Sequence, residues 1–246
     1  KTIIVTGGNS GLRFESVKAF AEKGAEVILA SRSMEKGETA KKEITKGIIK
    51  GKITVMQLDL MDLASVRSFA KKINEKHERL DVLLNNAGIM ITPYFLTKDG
   101  FEGQMGVNHL GHFALTALLF DLIKKTPGSR VVNVSSSAHK SGKMDFDNLL
   151  FDKGKDYGKM KSYGRSKLSN LLFTYELQRR LEENKIESIA LAAHPGFSQT
   201  NLMRYLEDKW WFKLLMPLMM TMSQNQAMGA LPQIRASVDS EVKGGE

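Results

Sequence analysis

Two side chains that can handle a proton, Tyr163 and Lys167, stand four residues apart. In a helix this spacing places them on one face, with Cβ atoms about 5–6 Å apart. A free tyrosine has a pKa of about 10, and a fixed ammonium beside it favours the phenolate and lowers that pKa. The pair therefore suits a reaction that moves a proton on or off a carbonyl or alcohol oxygen. The alternative is a surface tyrosine beside a solvated lysine.

A serine run lies upstream of this pair, at Ser135, Ser136 and Ser137. A hydroxyl from this run, placed beside Tyr163, can hold a substrate oxygen against the phenol. The three residue types together describe a site for proton transfer at an oxygen atom, provided that the fold brings them together.

The beginning of the chain has the pattern of a βαβ unit. An apolar, β-rich run at 1–6 leads into a glycine turn, a helical segment at 14–23 and a second apolar run at 26–30. Glycines in such a turn let backbone amides approach a pyrophosphate, which the positive end of the helix attracts. The alternative is a tight connection without a ligand. The turn residues that we expect to bind a cofactor are Gly7, Asn9, Ser10, Gly11 and Leu12.

Position 13 departs from the usual glycine pattern because it holds Arg13, where a further glycine would let helix and cofactor pack closely. Two arrangements are open. The guanidinium swings outward and pairs with phosphate, which its forked donors suit, or its bulk pushes the start of the helix away and weakens binding. We favour the first arrangement.

The end of the second predicted strand carries Arg32 and no acidic residue between Val27 and Met34. Sites that prefer NAD usually place an acid here for the ribose diol, whereas an arginine accommodates the 2′-phosphate of NADP. The sequence therefore predicts NADP(H) in preference to NAD(H). The alternative is a solvated arginine in a loop.

With these residues in view, nearly the whole chain resembles the short-chain dehydrogenase/reductase family. The likeness rests on ordered motifs: the turn at 6–12, the segment 58–60, the run 85–88, the serine run and the segment 194–196. It implies a catalytic tetrad and a set of cofactor contacts beyond the glycine turn. The tetrad is Asn108, Ser136, Tyr163 and Lys167; the contacts are Arg32, Asp59, Leu60, Asn86, Ala87, Gly88, Tyr163, Lys167, Pro195, Gly196 and Thr200.

The resemblance also implies a role for each member of the tetrad. Tyr163 would donate or accept the proton and Ser136 would orient the substrate oxygen. Lys167 would lower the pKa of the tyrosine and hold the nicotinamide ribose, while Asn108 would support a water that links Lys167 to solvent. Longer pieces at 30–37, 106–113 and 126–133, and the long gap between Ser136 and Tyr163, resemble the retinol dehydrogenase and protochlorophyllide reductase-like branch. The absence of cysteine disfavours the photoenzymes of that branch.

Composition agrees with an enzyme of this kind. At 246 residues, with 42% hydrophobic residues and no cysteine, one α/β domain can bury a large core without disulfides. The net charge of +9 is spread along the chain without a basic stripe interleaved with aromatics, so we expect no nucleic-acid partner. Among five histidines only His109 and His112 lie close together, and we assign them to helix packing and expect no metal.

The periodicity predicts a single α/β domain over 1–246, a Rossmann-type doubly wound parallel sheet in the order 3-2-1-4-5-6. The site is then expected at the carboxyl ends of the strands. The predicted strands are at 1–6, 26–30, 53–58, 81–85, 129–135 and 187–193. The polar, glycine-rich stretch 237–246 stands where related chains add a seventh strand, so we expect that strand to be absent or disordered here.

An apolar, methionine-rich stretch around 200–228 is interpreted as a lid over a lipophilic alcohol, aldehyde or ketone. Two alternatives remain: a helix packed on the core or on a second subunit of a homo-oligomer, and shallow contact with a membrane surface through Trp210 and Trp211. No run of about 18 apolar residues is present in the sequence. We expect a cytoplasmic protein, with peripheral membrane association as an option. The first residue is not Met and already lies in a strand, so the sequence does not inform on segments upstream.

Two classes of function follow from these patterns. The first is an NADP(H)-dependent oxidoreductase that transfers hydride between nicotinamide and a carbonyl or alcohol carbon. The second is a non-catalytic dinucleotide-binding or regulatory protein that retained the fold, for which Arg13 is the supporting feature. A sugar epimerase also uses a tyrosine and lysine at this spacing, but the glycine turn and the run at 85–88 argue against it.

Overall fold

The computed structural model describes residues 1–196 and 225–246. Its centre is a six-stranded parallel sheet in the order β3-β2-β1-β4-β5-β6, which confirms the predicted order. Each predicted strand is present within two residues of its expected bounds. The strands are β1 (Thr2–Thr6), β2 (Glu26–Ser31), β3 (Lys52–Gln57), β4 (Val82–Asn85), β5 (Arg130–Val134) and β6 (Ile189–Ala193).

Helices cover both faces of this sheet. They are α1 (Leu12–Glu22), α2 (Met34–Ile44), α3 (Leu63–Lys76), α4 (Gly103–Met105), α5 (Gly111–Leu118), α6 (Phe120–Lys124), α7 (Lys159–Glu183) and α8 (Gln226–Val238), the numbering following the described residues. None of these helices is both long enough and apolar enough to cross a membrane. The apolar stretch interpreted as a lid lies outside the described residues, apart from 225–228 at the start of α8.

The central strands are apolar along their whole length because both faces of the sheet are buried. In β1, Ile3 and Val5 face a core shared with α1, α2 and α8, while Ile4 faces a second core under α3 and α5. This alternation follows from the two-residue period of a strand. The two cores therefore lie on opposite faces of the sheet.

The sheet reverses its winding direction between β1 and β4, which lie side by side. Chains leaving these two strands turn to opposite faces, which opens a crevice at their carboxyl ends. At the other side of the sheet, residues 245 and 246 lie beside β6, where Gly245 N donates to Ala190 O and Ala192 N donates to Glu246 O. No seventh strand is formed by residues 1–196 and 225–246.

A π-helical segment, Gly106–Leu110, interrupts the helix between α4 and α5. The short helix before it, α4, is capped by Glu102, whose buried carboxylate accepts hydrogen bonds from the backbone amides of Gln104 and Met105. Such widened turns are rare and occur mostly at functional sites. Here the segment carries Asn108, one of the four residues of the expected tetrad.

Candidate active site

The crevice is a cleft with a volume of about 580 Å³. Its walls come from the glycine turn after β1, the end of β2, the segments after β3 and β4, the serine run after β5, and α7. Every cofactor-binding residue predicted from the sequence lines this cleft, apart from Thr200, which lies outside the described residues. The topology has therefore brought together motifs that are far apart in the sequence.

The glycine turn has the conformation that a phosphate cradle needs. Gly7 and Gly11 have φ angles of 69° and 61°, in the left-handed region that favours glycine. Gly11 is the N-cap residue of α1, and no side chain caps the amides of this helix end. A Cβ added to Gly11 would meet no atom within 4 Å, so the helix end opens into the cleft. Unpaired amides at a helix N-terminus attract anions.

A second observation agrees with a bound dinucleotide. The amide nitrogen Nδ2 of Asn86 is buried and has no hydrogen-bond partner among the described residues, although Asn86 lines the cleft. Buried donors are rarely left unpaired in proteins. The open helix end and this donor both fit a polar ligand that carries phosphate.

The far end of the cleft, after β2 and β3, has a cationic rim. Arg32 is exposed there, and its Nη1 lies 3.4 Å from the sulfur of Met61. Lys36 also lines this end, in the first turn of α2, where the helix contributes further positive potential. Asp59 is engaged with its own loop, since its carboxylate accepts from Met61 N. Glu35 lines the same end beside the two cations. Arg32 and Lys36 together with the helix N-terminus suit an added phosphate group.

Tyr163 and Ser136 meet at the inner end of the cleft. Tyr163 lies buried on α7, and its hydroxyl is hydrogen-bonded to that of Ser136. Ser136 follows β5 and caps a short 3₁₀ turn, Ser137–Ser141, where its hydroxyl oxygen accepts a hydrogen bond from the Ala138 amide. One helix and one strand end thus aim two hydroxyls at the same point, where a substrate oxygen can be held by both.

Lys167 lies one helical turn beyond Tyr163 on the same face of α7. Its Nζ is 5.7 Å from the centre of the Tyr163 ring and donates a 2.9 Å hydrogen bond to Val134 O. Burial lowers the pKa of Lys167 from its ordinary value to about 7, and the charge of Arg13 contributes in the same direction. The side chain therefore exchanges its proton near neutral pH.

The expected lowering of the Tyr163 pKa by Lys167 is not found. Burial instead raises the pKa of Tyr163 above its ordinary value, and the hydrogen bond with Ser136 and the charge of Arg13 offset this only in part. The physical reason is that desolvation disfavours the phenolate more strongly than nearby cations stabilise it. A phenol that stays protonated at neutral pH is suited to donating a proton.

Asn108 is fully buried and connects two parts of the site. Its Oδ1 accepts from Ile89 N at 2.8 Å, and its Nδ2 donates to Ile89 O and to Ser166 Oγ. The carboxamide therefore fixes the chain after β4 against α7. A Cβ on Gly88 would lie 3.2 Å from Asn108 Oδ1 and 3.8 Å from Lys167 Nζ, so Gly88 separates the two side chains.

Sequence reasoning missed a hydrogen-bonded link from the glycine turn to the π-helical segment. Thr6 Oγ1 accepts from the amides of Asn86 and Ala87 and lies 2.9 Å from His112 Nε2, while His112 Nδ1 lies 3.1 Å from Asn108 O. A carbonyl only accepts, so Nδ1 carries the proton and Nε2 accepts from Thr6. Burial lowers the pKa of His112 to about 3, which keeps it neutral. Its spacing of four from Asn108 is the signal that could have revealed it.

The side chain of Arg13 lies in the cleft. It passes over the glycine turn, where a Cβ on Gly7 would lie 3.1 Å from Arg13 Cδ, and its Nη2 lies 3.4 Å from Gly88 O. The guanidinium thus points across the cleft toward the tetrad. Its charge lowers the pKa values of both Lys167 and Tyr163.

Arg165 is a second residue that sequence reasoning missed, although it stands between Tyr163 and Lys167. It is fully buried, and its guanidinium donates to the backbone oxygens of Lys143, Asn148 and Leu149. The same group stacks 4.2 Å from the centre of the Phe151 ring. These contacts bind the long segment after Ser136 to α7.

Comparison with known proteins shows which family this chain is related to. Residues 1–148 match the model of the short chain dehydrogenase family. The chain is 47% identical over 205 residues to human (Homo sapiens) retinol dehydrogenase 13, covering 83% of this chain and 61% of that protein. It is 45% identical over 214 residues to human retinol dehydrogenase 11, covering 86% of this chain and 66% of that protein.

A solved structure agrees with this relationship. An uncharacterized protein from Mycobacterium Paratuberculosis is 41% identical, with a TM-score of 0.79, covering 100% of this chain and 78% of that one. The fold and the cleft define a dinucleotide-binding α/β protein. The chain belongs to the short-chain dehydrogenase family, within its retinol dehydrogenase-like branch, and the family's fold implies a nicotinamide dinucleotide cofactor. It spans less than two thirds of the length of the two human relatives.

Proposed function

We propose that this chain is an NADP(H)-dependent oxidoreductase that interconverts a carbonyl and an alcohol on a lipophilic substrate. The observation that carries the proposal is the meeting of Tyr163, Ser136 and Lys167 at one end of a cleft whose other parts fit a phosphate-bearing ligand. When bound, the nicotinamide ring supplies or accepts the hydride.

The chain's own residues perform the proton chemistry. The Ser136 hydroxyl orients the substrate oxygen, and Tyr163 donates its proton to that oxygen during reduction or takes it back during oxidation. Because burial raises the pKa of Tyr163, the phenol is held in the form that donates. Lys167, with its pKa near neutral, supplies the proton that restores the phenol after reduction and takes up the proton that leaves it before oxidation. Asn108 holds the chain at Ile89 in position beside these groups.

The preference for NADP(H) over NAD(H) rests on the cationic rim. Arg32 and Lys36 line the end of the cleft after β2, beside the positive end of α2. A 2′-phosphate adds two negative charges to the adenosine ribose, and such a group is attracted by two cations and a helix N-terminus. Arginine is well suited to phosphate because its forked donors match the oxygens.

A lipophilic substrate is supported by two features. Apolar side chains, Ile89 and Met90, line the cleft beside the tetrad. The human relatives are retinol dehydrogenases by name, and retinol is an apolar alcohol. We further propose that the apolar stretch around 200–228 closes over such a substrate.

The test is a screen of NADPH oxidation by the purified chain against matched aldehydes, ketones and retinoids of increasing apolar length. The proposal expects turnover that rises with apolar length and disappears in Tyr163→Phe. The alternative is a dinucleotide-binding protein without catalysis, favoured by the position of Arg13 in the cleft. Tight dinucleotide binding with no turnover on any member of the panel would support that alternative.

A further inference from the structure

Arg13 places a second cation beside the reacting groups of the cleft. Its Nη2 lies 3.4 Å from Gly88 O, and Lys167 Nζ lies 3.8 Å from the position of a Cβ on the same residue. The two cationic side chains therefore approach Gly88 together. Lys167 is itself buried, so the surroundings screen their charges weakly.

This position affects the two redox forms of the cofactor differently. The oxidised nicotinamide ring carries a positive charge and the reduced ring carries none, whereas the phosphates and riboses are the same in both forms. To exchange hydride with a substrate held by Tyr163 and Ser136, the ring must lie beside those hydroxyls. Arg13 acts electrostatically on Tyr163 and Lys167, so it also acts on a charge at that place.

We propose that Arg13 makes the cleft discriminate against the oxidised cofactor in favour of NADPH. This inference rests on the proposed function. Any attraction between Arg13 and the phosphates is common to NADPH and NADP⁺ and cancels in the ratio of their dissociation constants. The ratio therefore isolates repulsion between the guanidinium and the charged ring.

The ratio Kd(NADP⁺)/Kd(NADPH) is measured by calorimetry on the purified chain and on variants at position 13. Arg13→Met and Arg13→Gln remove the charge with different side-chain polarity, while Arg13→Lys keeps it. The measurement is made near pH 6, where Lys167 carries its proton in each protein because its pKa is about 7. Arg13 is then the charge that differs. The affinity for a control ligand, 2′,5′-ADP, reports binding at the adenosine end of the cleft alone, because this ligand has no nicotinamide ring.

We expect the ratio to fall about tenfold in both neutral variants, which corresponds to about 1.4 kcal/mol, and to stay within about twofold in Arg13→Lys. The affinity for 2′,5′-ADP stays within the same narrow range in all four proteins. Dinucleotide binding with an unchanged ratio in both neutral variants overturns the role of Arg13 and leaves the proposed function standing. Failure of every protein to bind either dinucleotide overturns both.

Discussion

Lys167 Nζ donates a 2.9 Å hydrogen bond to the backbone oxygen of Val134, and this contact joins α7 to the carboxyl end of β5. The same backbone oxygen also accepts from Asn170 Nδ2 at 3.2 Å. A single neutral acceptor gives little compensation for a buried ammonium. The lysine therefore releases its proton far more readily than a solvated lysine does.

The stability of the protein should rise with pH above neutrality because of Lys167. Its pKa is about 7 in the folded chain, lowered by burial from the ordinary value of 10.5, which the unfolded chain retains. Between these values the unfolded state binds more protons, so the free energy of unfolding increases with pH. From pH 7 to 8.5 we expect a gain of about 1–2 kcal/mol from this group.

Urea unfolding of the unmutated chain and of Lys167→Met at both pH values measures this gain. The other titratable groups contribute equally to both proteins, so the difference between the two pH responses belongs to Lys167. Equal responses in the two proteins would show that the lysine keeps an ordinary pKa.

Tyr163→Phe should remove turnover and leave cofactor binding nearly unchanged. The phenol oxygen is the proposed proton donor, and loss of general acid catalysis typically costs about 10²–10⁴-fold in rate. The control is Tyr175→Phe, which removes the same atom from the exposed side of the same helix. If Tyr163→Phe kept more than half of the activity on a verified substrate, the assignment of the tetrad would be wrong.

Arg32→Ala should erase most of a preference for NADPH. In the unmutated chain we expect NADPH to bind at least about tenfold more tightly than NADH, equivalent to roughly 1.4 kcal/mol. Arg67→Ala, an exposed arginine on α3 away from the cleft, is the matched control and should leave the preference unchanged. Calorimetry that gives equal affinities for the two cofactors in the unmutated chain would exclude the proposed role.

The sheet could be predicted from the sequence because its strands are short, apolar and separated by helices. The run at 1–6, for example, is buried on both faces as β1, so its apolar character reflects its place in the sheet. Tyr163 and Lys167 could be placed on one face because helical spacing is local. Neither inference required knowledge of distant contacts.

The electrostatics of the site could not be predicted in the same way. The pKa of Tyr163 depends on how completely β5, the π-helical segment and the glycine turn exclude water, and these come from distant parts of the sequence. The side-chain direction of Arg13 likewise depends on Gly88, 75 residues away. The role of His112 required Thr6 as a partner, 106 residues away.

The final prediction concerns Arg165, which holds the long segment after Ser136 against the helix of Tyr163 and Lys167. Its guanidinium binds backbone oxygens of Lys143, Asn148 and Leu149. Arg165→Met keeps much of the apolar volume and removes these bonds. Hydrogen bonds to charged groups contribute about 1.5–3 kcal/mol, so we expect a loss of that order in the free energy of unfolding.

Arg165→Met should also disturb the active site, because the segment that Arg165 holds begins at Ser136. A Cβ on Gly142 would lie 2.6 Å from Gly164 O, so the segment packs directly on the helix one residue from Tyr163. We expect hydrogen exchange in residues 143–151 to accelerate and kcat to fall in Arg165→Met, even at temperatures where the protein stays folded. Arg180→Met, on the exposed side of the same helix, should change neither. Unchanged hydrogen exchange in residues 143–151 would show that Phe151, Gly142 and Gly164 hold the segment in place without Arg165.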